Sequence, residues 1–113
     1  MIKKIVIGVM ALLPLTVNAG STNAKIERIL FLETGEVGLV YVYPEGGVNN
    51  PPECHGANRD YISFDASRPM AKEYISGLMA AMMADKKLTL RTEGDCIDQG
   101  VSDTLKYFSI HKN

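Results

Sequence analysis

The chain has no tryptophan, only two histidines and only two cysteines. His55 and His111 lie far apart in sequence, and no G-x-S-x-G or similar nucleophile signature accompanies them, which leaves little from which to build a hydrolase. Neutral surface histidines are the plain reading of both. C-x-x-C spacing is missing, and the Cys54-His55 dipeptide is no ligand motif by itself, so neither a redox pair nor a zinc site is expected. Positive charge is not in excess: 12 basic residues face 13 acidic ones. That balance argues against nucleic acid or an anionic membrane as the main partner. There are no internal repeats and no low-complexity tract. No apolar run after residue 19 approaches the roughly 20 residues of a membrane span.

What is present begins at the amino terminus. Met1-Ile2-Lys3-Lys4 is a short basic start, Ile5 to Leu15 is apolar, and Val17-Asn18-Ala19 ends on a small residue. Residues 1–19 therefore read as a signal peptide, with cleavage between Ala19 and Gly20. A membrane anchor is the rival reading, and the run is short for one. No Cys follows the cleavage point, which disfavours a lipoprotein. Export, to the periplasm or beyond it, places Cys54 and Cys96 in an oxidising compartment. An even count in a small exported domain reads as one disulfide. It closes a loop of about 43 residues, worth on the order of 4 kcal/mol in the chain-entropy model. Losing Lys3 and Lys4 makes the mature chain, residues 20–113, mildly acidic. It is long enough for one small domain with a modest core.

The pattern along residues 20–113 is mainly β. Gly20 to Ala24 reads as a mobile lead-in. Lys25 to Glu33 reads as a strand with a bulge near Arg28. Thr34-Gly35-Glu36 is a tight turn into the clearest strand, Val37 to Tyr43. There Val37, Leu39, Tyr41 and Tyr43 point one way, and Val40 and Val42 the other. Pro44 to Asn58 is a loop rich in Pro, Gly and Asn. Tyr61 to Phe64 is a short strand. Asp65-Ala66-Ser67 offers capping side chains and Pro69 sits in the first turn of a helix from about Arg68 to about Asp85. Met70, Tyr74, Leu78 and Met82 form its apolar line, widened by Ala71, Ile75 and Met79. Leu88 to Thr92 and Leu105 to Ile110 complete the strands. Five strands with a helix between the third and fourth is the order of an OB-fold-like barrel with one disulfide.

Two groups of residues suggest binding. Tyr41 and Tyr43 beside Asn49, Asn50 and Asn58 combine ring faces with amides, which suits sugar hydroxyls. Taken singly, the tyrosines also serve as barrel wall and the asparagines as turn formers. Leu78, Met79 and Met82 lie on a helix half that is apolar nearly all round. They read as core or as an interface with another subunit, with an adaptable Met-rich ligand groove as the alternative. Glu93, Asp95, Asp98 and Asp103 cluster around Cys96, but the twelve-residue calcium-loop pattern is absent, so they read as solvated loop charges. No metal and no cofactor is expected.

In layout the chain resembles the small exported B subunits of bacterial toxins, nearest to the subtilase-cytotoxin and typhoid-toxin B-subunit group. The matching features are the signal peptide, the hairpin ending in Val40-Tyr41-Val42-Tyr43, the loop with Cys54 and the helix Pro69–Ala84. Leu88-Thr89-Leu90-Arg91 followed by Gly94-Asp95-Cys96 also fits. No glycan-contact motif matches residue by residue. The resemblance implies an OB-fold, a homo-oligomeric ring of five, glycan binding and no catalysis. A periplasmic protein-interaction or structural module is the alternative, and a small hydrolase or metal protein using His55 and the Asp95–Asp98 loop is a third reading.

Overall fold

A computed structural model describes residues 20–56 and 60–112. The signal-peptide assignment to residues 1–19 and the candidate Asn58 lie outside the described residues. Six strands and one helix follow in order: β1 (Ser21–Ala24), β2 (Ile26–Thr34), β3 (Val37–Pro44), β4 (Ile62–Asp65), α1 (Ala71–Met83), β5 (Leu88–Thr92) and β6 (Leu105–Ile110). They form two antiparallel three-stranded sheets, β1-β5-β6 and β2-β3-β4.

Two expectations are corrected here. There are six strands rather than five, and no closed barrel forms. The added strand is β1, in the segment expected to be mobile. Its sequence has no apolar alternation, and its conformation comes from its partner. By pairing Ser21 with Arg91 through Ala24 with Leu88, it satisfies the backbone groups along one edge of β5. The helix consequently falls between the fourth and fifth strands. Lys25 is the corner at which the chain leaves one sheet for the other, and its carbonyl accepts the Glu45 N–H at 2.9 Å. The sheets meet through an isolated parallel bridge, Ser63 with Thr104, rather than through a shared strand.

Local signals explain most of the elements. The β2–β3 hairpin turns at Gly35-Glu36, where Gly35 takes φ 63°, the left-handed value that the first position of a II′ turn requires. The register of that hairpin shifts between Ile26 and Arg28, where the bulge was expected. The helix starts later than its sequence suggests. Asp65 Oδ1 accepts the Ser67 N–H at 2.8 Å and the Ser67 hydroxyl at 2.7 Å, which makes a turn of its own rather than a helix cap. Met70 is the N-cap residue and makes no side-chain capping bond. At the other end Asp85 adopts φ 59°, and the Asp85 and Lys86 N–H groups close on the carbonyls of Met82 and Ala81. That is a Schellman ending.

The core lies between the two sheets and under α1. Val40, Val42, Ile62, Phe64, Leu78, Leu88, Leu90 and Leu105 are all buried, with Ala71 and Ala81 where the helix comes closest. Arg68 ties the start of the helix to β6, donating to the carbonyls of Leu105 and Lys106 while its guanidinium lies 5.1 Å from the Tyr74 ring centroid. Cys54 and Cys96, 42 residues apart in sequence, are joined by a disulfide. It ties the loop after β3 to the loop after β5.

Candidate ligand-binding site

The pleat of β3 sends Val40 and Val42 into the core and turns Tyr41 and Tyr43 to the opposite face. The pairing of Val42 with Ile62 and Tyr41 with Ser63 extends to place Tyr61 opposite Tyr43. On the other side of β3, Tyr43 pairs with Arg28 of β2. One row thus crosses three strands. The Arg28 guanidinium lies 4.0 Å from the Tyr43 ring centroid, a cation–π contact. Tyr61 lies 5.4 Å from Tyr43 in a tilted arrangement and stacks on Tyr41 at 4.0 Å.

Gln99, from the loop after β5, ties the hydroxyls of this cluster together. Its Nε2 donates to Tyr41 Oη, and its Oε1 accepts from Tyr61 Oη at 2.9 Å and from Ser102 Oγ at 2.8 Å. Ser102 in turn meets Ser63 within the buried junction of the two sheets. Burial, helped by the Tyr41 hydroxyl and opposed by the Gln99 hydrogen bond, pushes the Tyr61 phenol up to about 12.

Beside this row opens a cleft of about 340 Å³ lined by Glu27, Arg28, Tyr43, Pro44, Gly47 and Asp60. It is mostly polar. Two carboxylates supply acceptors, a guanidinium supplies donors in a fixed fork, and the tyrosine supplies a flat apolar edge. This set of groups matches a small polyhydroxylated ligand better than an apolar one.

Of the residues singled out from sequence, Tyr43 lines the cleft and Tyr41 stands behind it in the stack. Asn49 and Asn50 do not join them. Asn49 faces β1, its Nδ2 donating to the Ser21 carbonyl at 3.1 Å and its N–H to Thr22 Oγ1 at 3.0 Å. Asn50 is an exposed turn residue at φ 56°. The amide beside the tyrosines is Gln99, and the charged groups are Glu27, Arg28 and Asp60. Arg28 had a signal, since it adjoins the bulge. Gln99 had none, because 58 residues separate it from Tyr41.

The proposed interface residues also divide. Leu78 is wholly buried in the chain's own core and Met82 packs partly against it, whereas Met79 is exposed together with Met83. A second cleft, of about 410 Å³ and mainly apolar, runs along Phe31, Leu32, Leu39, Ala66 and Ile75.

The expectations for His55, Asp98 and Asp103 are corrected too. His55 is not on the surface but buried, and its Nδ1 accepts the Asp103 N–H at 3.0 Å. His111 is exposed beside Thr89. Asp103 is buried rather than solvated, and Asp98 is half-buried, accepting the Asp65 N–H at 2.8 Å. Among the described residues no three His, Cys, Asp or Glu side chains converge as metal ligands, and no helix is long and apolar enough to cross a membrane. Comparison with protein families, with curated proteins and with solved structures finds no match to the chain.

Proposed function

We propose that the chain is an exported, non-catalytic binding module whose ligand is a glycan, held in the cleft between Arg28, Tyr43 and Asp60. The observation that carries this reading is the cleft's lining: acidic acceptors, a guanidinium donor and an aromatic edge within one site of about 340 Å³. Sugars present hydroxyls that both donate and accept, on a ring whose C–H face packs on aromatic carbon. Gln99 and the Tyr41–Tyr61 stack hold Tyr43 from behind, so the site is formed before the ligand arrives. Membership in a ring of subunits like that of toxin B subunits belongs to the same reading and rests on the resemblance in layout. Export to the periplasm or beyond rests on residues 1–19.

The test is a glycan array followed by titration calorimetry, using the oxidised protein. Binding to a defined set of glycans is expected, weakened at least about tenfold by Asp60→Asn, a loss of about 1.4 kcal/mol. Asp60 is exposed and its replacement leaves the core intact. A folded, oxidised protein that binds nothing on the array sinks the proposal.

The second cleft favours a different occupant. Its apolar lining, with Phe31 more than half exposed, suits a protein partner better than a sugar. A periplasmic interaction module using this cleft is therefore the alternative. Light scattering separates the two: a five-membered ring supports the toxin-like reading, and a monomer that pairs with one envelope protein supports the alternative.

A further inference from the structure

Asp103 is 1% exposed, and its two carboxylate oxygens have very different surroundings. Oδ1 accepts three backbone N–H groups, from Gly94 at 3.0 Å, Asp95 at 3.1 Å and Thr104 at 3.0 Å. Oδ2 is equally buried and has no hydrogen-bond partner among the described residues. The ion pairs seen, Lys25 with Asp85 and Arg68 with Asp98, do not involve it. His55 meets Asp103 through an unprotonated Nδ1, which accepts the Asp103 N–H. A buried carboxylate is costly unless a cation or donors face it.

Oδ2 faces Gly20. The residue is buried, and its carbonyl is fixed by the Thr92 N–H at 3.0 Å. A first side-chain atom on Gly20 Cα would stand 2.6 Å from Thr92 Oγ1, 3.5 Å from Asp103 Oδ2 and 3.9 Å from the Asn49 carbonyl oxygen. For carbon the first distance is a clash, and Thr92 is itself buried, so position 20 excludes a side chain. For nitrogen it is close to a hydrogen bond. The Thr92 hydroxyl is within hydrogen-bond reach of that point, the Asp103 carboxylate stands at the outer edge of reach and the Asn49 carbonyl lies beyond it, so an ammonium group there donates to Thr92 and faces the negative charge of Asp103.

Gly20 is also the residue after the expected cleavage point. We propose that hydrolysis of the Ala19–Gly20 bond creates an α-ammonium group that turns into this oxygen cradle and pairs with Asp103, completing the fold. Water adds across the amide: the carboxylate leaves on Ala19, and the amine stays on Gly20 and takes a proton at neutral pH. While Ala19 is attached, the nitrogen of Gly20 is an amide with one N–H and its position is tied to the preceding chain. Once free, a third of a turn about the Cα–C bond brings it to the point described, with the carbonyl still held by Thr92. Removing the leader thereby exchanges a buried, half-satisfied carboxylate for a neutralised one. Because Asp103 also organises the loop that carries Cys96, maturation tightens the segment that the disulfide holds. The inference stands whether or not the chain binds glycans.

The experiment uses the full precursor, exported and then purified in its oxidised form. Intact mass is expected to place its first residue at Gly20. Under limiting acylation at neutral pH, the Gly20 amine of the native protein is expected to react about tenfold more slowly than in the reduced, denatured chain, because facing Asp103 holds it protonated. Asp103→Asn keeps an oxygen for the three N–H groups and is expected to restore ordinary reactivity. If that variant does not fold, a second one serves: a precursor with one Ser inserted after Ala19 yields a mature chain whose ammonium is displaced by one residue. It is expected to melt lower and to react at the denatured rate. A mature chain that starts elsewhere, native reactivity equal to denatured, or an inserted Ser that leaves both melting and reactivity unchanged, each overturns the proposal.

Discussion

Phe64 and Asp103 are equally inaccessible, at 0% and 1% exposure, yet their neighbourhoods are held by opposite means. Phe64 sits among Val40, Val42, Leu78 and Leu105, where stabilisation is non-directional and follows the apolar area removed from water. Asp103 sits in the loop after β5, where one carboxylate oxygen gathers three N–H groups. One residue on, Thr104 Oγ1 gathers two more, from Ile97 at 2.8 Å and Asp98 at 3.0 Å. A loop with little regular structure is thus ordered by two side-chain acceptors, with a disulfide at its edge. Shape and volume govern the first region. In the second, the identity of particular oxygen atoms governs.

That contrast is broken most forcefully from the core side. Phe64→Ala is expected to cost about 3–5 kcal/mol, because the ring fills the junction of both sheets and the helix and little can collapse into its place. Urea unfolding followed by circular dichroism measures it. A loss of less than about 1 kcal/mol would mean that the core is not where cohesion resides. The loop side is probed by Thr104→Val, which keeps the volume and removes the oxygen. The expected cost is about 1–2 kcal/mol, since two partly buried N–H groups lose their acceptor. Hydrogen exchange should show the loss concentrated at the amides of Ile97 and Asp98. Were Thr104→Val neutral, shape alone would explain both regions and the distinction between them would disappear.

The same contrast explains what the sequence made legible. Strand β3 and helix α1 are visible because apolar side chains recur with the period of the backbone that carries them. Pairing of Cys54 with Cys96 is visible because two cysteines allow one bridge. The bulge at Arg28 shows as a break in alternation. Strand β1 leaves no such trace, because it is defined by the edge of β5 that it covers. Counting it changes a five-stranded barrel into two three-stranded sheets. Asp103 and His55 look like surface residues, since type alone puts Asp and His outside, and only the fold shows the N–H groups that hold them inside. Within the candidate site, Tyr41 and Tyr43 follow from the pleat of β3. The Gln99 contact is long-range and polar, so it has no periodicity to betray it, and Asn49 and Asn50 were nearer in sequence but serve β1 and the turn instead.

The smallest effect lies where the two regions meet, at the Tyr61 hydroxyl, which is packed against Tyr41 and bonded to Gln99 of the loop. An unfolded tyrosine gives up its proton near pH 10, whereas in the folded protein Tyr61 holds it to about 12. Between those values the folded state binds more protons than the unfolded one, so stability falls as pH rises. The contribution is whole below pH 10 and is lost by about 12. Tyr61 is only partly buried, so solvent screening keeps this contribution small. Other groups titrate in the same range, and for that reason the informative quantity is a difference. Tyr61→Phe retains the stack on Tyr41 but has no phenol to ionise. The stability advantage of the native protein over Tyr61→Phe should therefore be level up to pH 10 and shrink from there to pH 12, as followed by urea midpoints. An advantage that stays level throughout would mean that the hydroxyl ionises as freely as in water and that the Gln99 bridge does not join tyrosine row to loop in solution.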